Sequence, residues 1–109
     1  MSEKCIVRNE WEDFFDDLSK KIKNLDEKVK IEIIAPSVFE REEGKGLHII
    51  GLSYDPKANV FSILCEDIEH LINNPQEVCI EEYDGAITQV RINDNSGMEH
   101  IIKFSIPIK

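Results

Sequence analysis

Apolar residues recur at every third or fourth position from Trp11 to Ile22, then at every second position through most of the remaining chain. Trp11, Phe14, Phe15, Leu18 and Ile22 fall at offsets of three, four and seven, which places them on one face of a helix. Asn9 is a suitable N-cap and Glu12 follows three residues later, a capping-box arrangement. Glu10, Glu12 and Asp13 sit at the positive end of the helix dipole and Lys20, Lys21 and Lys23 at the negative end. The pattern predicts a helix closing near Asn24, with its aromatic stripe buried as core rather than offered as a stacking platform, and Trp11 at the rim.

Val29, Ile31 and Ile33 alternate with Lys30 and Glu32, the period of a strand with one wet face. Pro36 ends it, and the stretch from Pro36 to Gly46 reads as irregular. The clearest hairpin runs from Leu47 to Cys65, two apolar and β-branched runs around Asp55-Pro56-Lys57-Ala58-Asn59. Pro presets φ early in such a turn and Asn tolerates a left-handed conformation near its end. Glu66 to Pro75 is expected to be a connection with a short helical turn, halted before Pro75 because the residue preceding a proline resists the helical region. Strands then follow from Val78 to Tyr83, Ile87 to Asn93 and Met98 to Ile108. Asp84-Gly85 and Asn95-Ser96-Gly97 mark tight turns between them.

These elements predict an α+β fold: one N-terminal amphipathic helix packed on a bent antiparallel sheet of about six strands, or on a partly closed small barrel. A chain of 109 residues fits a single domain spanning 1–109.

Composition narrows the function. With 22 acidic against 13 basic side chains the formal charge is −9, which opposes binding to nucleic acid and to anionic membrane surfaces. No apolar run reaches the length of a membrane-spanning helix and no leader pattern opens the chain, so a soluble, cytoplasmic protein is expected. Cys5, Cys65 and Cys79 are odd in number and form no C-x-x-C pair, so reduced thiols are expected.

No motif points to a cofactor or to a catalytic set. Gly44-Lys45-Gly46 lacks phosphate-loop spacing, and Gly51-Leu52-Ser53-Tyr54-Asp55 is not a nucleophile elbow. The three histidines, His48, His70 and His100, are far apart in sequence, so a metal site would require convergence through the fold. The expected role is therefore a non-catalytic protein-interaction or regulatory module, binding a basic partner surface or a second copy of itself. Candidate contact residues are Tyr54 and Asp55 at the hairpin tip and Glu66, Glu69 and His70 in the following connection. The alternative reading is a small enzyme or metal-binding protein using His70 with Glu66 or Glu69.

Several stretches resemble a small prokaryotic group, domain-of-unknown-function family 5335. They are Trp11 with Phe14, Phe15 and Leu18; Gly51 to Lys57; His70 to Val78; and Ile87 through the Gly97 turn to Phe104. The resemblance covers nearly the whole chain in order and implies no activity.

Overall fold

A computed structural model describes residues 2–25, 29–35 and 46–109. Strand β1 (Ser2–Ile6) leads through a 3-10 turn (Arg8–Glu10) into helix α1 (Trp11–Lys23). Seven strands follow: β2 (Lys30–Ile34), β3 (Leu47–Asp55), β4 (Val60–Cys65), β5 (Glu69–Asn73), β6 (Pro75–Tyr83), β7 (Ala86–Asp94) and β8 (Glu99–Ile108). They form one antiparallel sheet in the order β1-β6-β7-β8-β2-β3-β4-β5, which does not close into a barrel. The α+β class stands, with eight strands among the described residues where about six are expected from the sequence. The irregular stretch expected after Pro36 lies, up to residue 45, outside the described residues.

Both additional strands escape the periodicity for physical reasons. β1 is an edge strand whose residues are mostly exposed, so it carries no apolar alternation. β5 corrects the expected helical turn: Glu69, Leu71 and Asn73 point outward while His70 and Ile72 are buried. The alternation is present, but its first inward position is a histidine. Pro75 does not halt a helix; it opens β6 directly after a single corner residue, Asn74. Asn74 adopts φ 55°, its N–H donates to the Asn59 carbonyl at 3.0 Å, and its own carbonyl accepts from Asn95 N–H at 3.0 Å.

The turns follow their residue chemistry. Asp84 and Gly85 have φ of 52° and 77°, the paired left-handed conformations that join β6 to β7 in a two-residue hairpin. At the β3–β4 turn, the Asp55 carboxylate accepts from the N–H groups of Lys57 at 2.9 Å and Ala58 at 3.4 Å, and Asn59 takes φ 54°.

Helix α1 buries Trp11, Phe15, Leu18 and Ile22, each such burial contributing roughly 1.5–3 kcal/mol. Trp11 lies inside the core rather than at its rim: its ring meets Tyr54 edge-on at 5.1 Å, and its indole N–H donates to the Ile6 carbonyl at 2.8 Å. Phe15 meets Phe61 edge-on at 4.5 Å. The capping box does not form. Asn9 belongs to the 3-10 turn, and the helix starts one residue beyond Glu10 without a side-chain cap.

The helix has a second task. β2 pairs with β3 through Lys30–His48 and Ile31–Leu47, and the Ile49 N–H still donates to the Val29 carbonyl at 3.1 Å; beyond that, among the described residues, no strand pairs with this edge of β3. Ser19 of α1 takes that place for Leu52, accepting from its N–H at 2.9 Å and donating to its carbonyl at 2.6 Å. The helix thus covers a stretch of sheet edge that would otherwise present unpaired backbone.

Candidate functional site

Where α1 crosses the β3 edge it leaves an open groove of about 450 Å³ between the helix and the outer face of β3 and β4. Asp16, Ser19, Lys20 and Lys23 form the helical wall, and Ile50, Ser53, Ser62, Leu64 and Glu69 line the sheet side. Gly51 at its floor permits the close helix approach, since a Cβ there would stand 3.1 Å from Ser19 Oγ. A bulge between Ile49 and Gly51 turns Ile50 outward beside Leu64. Leu71 of β5 lies diagonally from Leu64 across the β4–β5 pair, and is 50% exposed. Three adjacent strands therefore present large aliphatic side chains to solvent, edged by charges of both signs. Glu69 is held at this edge by the Ser62 hydroxyl, which donates to it at 2.9 Å.

A second polar constellation is internal. The sheet curls enough that His70 of β5 meets His100 of β8, with Nε2 and Nδ1 3.1 Å apart. The other ring nitrogen of His100 lies 2.9 Å from Asp94 Oδ2. A carboxylate only accepts, so His100 Nε2 carries a proton, and with both rings neutral His70 Nε2–H donates to His100 Nδ1. Both imidazoles are nearly sealed, 5% and 4% exposed. Burial, and then the neighbouring His100, push His70 down to about 4. Asp94 is held well below the usual carboxylate range, first by the Ser96 hydroxyl at 2.6 Å, against the effect of burial, and further by His100 and the N–H groups of Met98 and Ser96. Asp94 thus shapes the β7–β8 turn with one oxygen and orients His100 with the other. These residues do not line the groove beside α1.

The third cluster lies on the outer face of the other half of the sheet. Cys5 and Cys79 are direct cross-strand partners, their Cα atoms 3.9 Å apart, and form a disulfide. The expectation of three reduced thiols is corrected here: strand pairing joins cysteines 74 residues apart, which spacing along the chain does not show. Cys65 remains a buried free thiol. Arg91, opposite Cys79 on β7, donates to both Glu3 carboxylate oxygens at 3.1 and 3.3 Å and to Glu77 at 3.2 Å. Among the described residues, Glu3, Cys5 and Cys79 form a group of three side chains whose donor atoms lie within 4.8 Å of one another, but the two sulfurs are bonded to each other.

The residues singled out from the sequence separate accordingly. Tyr54 is 6% exposed, donates to Asn59 at 2.7 Å and packs its ring against Trp11. Asp55 is exposed and serves its turn. His70 does not join Glu66 or Glu69: it faces inward on β5 while Glu69 faces outward, and Glu66 lies 3.3 Å from Nδ1 of His48. Glu69 alone of the five lines the groove. Sequence reasoning missed Ile50, Leu64 and Leu71, which periodicity assigns only to strands, and Asp94, which reads as an ordinary turn residue.

The sequence profile described as Family of unknown function (DUF5335) matches residues 2–109. An uncharacterized protein of Aquifex aeolicus (strain VF5) is 38% identical over 111 residues, covering 99% of this chain and 98% of that protein. No solved structure matches. The near-complete match to the family, supported by this full-length relative, shows that the chain belongs to DUF5335, a family of unknown function.

Proposed function

We propose that this chain is a non-catalytic protein-interaction module, one domain across residues 1–109, acting in the cytoplasm. The supporting observation is the groove beside α1, where Ile50 and Leu64 line the sheet side and the exposed Leu71, diagonal to Leu64, extends the apolar surface onto β5. An apolar centre with a polar rim is the anatomy of a protein interface. The partner that fits presents an apolar ridge with basic residues placed toward Glu69 and Asp16 and away from Lys20 and Lys23, and the formal charge of −9 supplies the longer-range attraction.

The test is affinity capture with the wild-type chain and with a Leu64→Glu/Leu71→Glu variant, followed by light scattering of the purified protein. A partner retained by the wild type and by a Lys103→Glu control, but lost by the double variant, supports the reading. Equal recovery by all three overturns it, and a concentration-dependent dimer abolished by the double variant would identify the partner as a second copy.

A further inference from the structure

The disulfide sits where an exchange site would be built. Cys5 is exposed on β1, the strand at one end of the sheet order, while Cys79 on its neighbour β6 is 0% exposed. An attacking thiolate therefore reaches one sulfur and not the other. Arg91, the register partner of Cys79 on β7, is bonded to Glu3, whose carboxylate lies within 4.8 Å of both sulfurs. Attack on the accessible sulfur expels the buried one as the leaving group. The ladder of β1 to β6 runs from Ser2–Glu82 to Ile6–Val78, and four of the five β1 residues are exposed. The bond therefore ties down a strand with little core of its own.

We infer that Cys5–Cys79 is a reversible thiol–disulfide exchange site for low-molecular-weight thiols, which fixes edge strand β1 on β6 when closed and lets it separate when open. In the opening reaction a small-molecule thiolate attacks Cys5 Sγ, the sulfur–sulfur bond breaks, and Cys79 leaves as a thiolate that takes up a proton. A second small-molecule thiolate resolves the mixed disulfide and Cys5 is released as a thiol. Two small thiols are oxidised to their disulfide, and the cysteine pair gains two electrons and two protons. Opening exposes the outer edge of β6, a template for strand addition. Resting on the cytoplasmic location proposed above, the role agrees with the rule that disulfides in reducing compartments are commonly transient and redox-sensing. The site occupies the other half of the sheet from the α1 groove and does not depend on what docks there.

The test combines titration of the full chain across glutathione redox buffers, read by intact mass and thiol labelling, with hydrogen exchange on the oxidised, reduced and Cys5→Ser forms. A reversible gain and loss of the bond is expected. Amides of residues 2–6 should exchange at least about tenfold faster in the reduced and Cys5→Ser forms, with β3 and β4 unchanged. A pair that stays dithiol, or stays bonded, at every glutathione ratio overturns the proposal. So does equal exchange in all three forms, or reduction that opens the whole sheet, since the bond would then be a general staple.

Discussion

Ser19 and Leu52 share two hydrogen bonds through one hydroxyl, which accepts from the Leu52 N–H at 2.9 Å and donates to its carbonyl at 2.6 Å. A single side chain thus does for Leu52 what a neighbouring strand does elsewhere in the sheet. Ser19→Ala is expected to cost about 1–3 kcal/mol, because two backbone groups lose their partner at once. Gly51→Ala brings a methyl group to 3.1 Å from the same hydroxyl and should cost about 1 kcal/mol by displacing it. Urea unfolding of the singles and the double checks both values. The double variant should cost less than the sum, since one hydroxyl underlies both effects.

Stability should fall with acid in two steps. His70 titrates near 4 in the fold against an ordinary value of 6.5, so the unfolded chain binds more protons between these values. The contribution is fully present above about pH 6.5 and is lost as pH falls toward 4, amounting to roughly 3 kcal/mol. Asp94, depressed rather than raised, contributes above the ordinary carboxylate range and begins to lose that contribution only as pH falls below it. Urea midpoints measured from pH 7.5 to 4 should show the first slope, and a His70→Gln variant should flatten it. An unchanged slope in that variant would show that His70 is not its source.

Arg8 should be worth more than an ordinary surface residue. Its guanidinium stacks 4.5 Å from the Trp11 ring centroid, donates to the Pro75 carbonyl at 3.0 Å and reaches Asn59 at 3.1 Å. Arg8→Ala is expected to cost about 1–2 kcal/mol and to alter the fluorescence of Trp11, the sole tryptophan. Equilibrium unfolding followed by that fluorescence measures both.

Cys65 should be chemically silent in the folded protein. Burial, and then the charge of Asp67, push its thiol up to about 11, leaving little thiolate at pH 8. Native alkylation by iodoacetamide should be at least about a hundredfold slower than in the unfolded chain. Mass spectrometry with and without denaturant measures the ratio.

The parts of the fold legible in the sequence are those governed by local rules. The spacing of Trp11, Phe15, Leu18 and Ile22 is enough to place α1 and its buried face, and Asp84-Gly85 announces its own turn. What escaped depends on contacts distant in sequence. His70 hides the alternation of β5, because a histidine on an inward position looks polar until His100 and Asp94 supply its partner chain. Cys5 looks unpaired until β1 is laid against β6, and Tyr54 looks like a tip residue until Trp11 covers it. The groove is similar: Ile50, Leu64 and Leu71 become one patch only after a bulge and two strand registers align them.

The pairing of the first strand with β6 also dictates an order of assembly. During synthesis β1 emerges well before its partners, which lie between Val78 and Glu82, more than 70 positions later. It must wait unpaired while α1, β3 and β4 can already meet around Phe61, whose contacts are closer along the chain. Closing so long a loop is among the slow steps of folding. A waiting segment fares best without stickiness, and β1, with serine, glutamate and lysine in its first three positions, has the composition to wait in water.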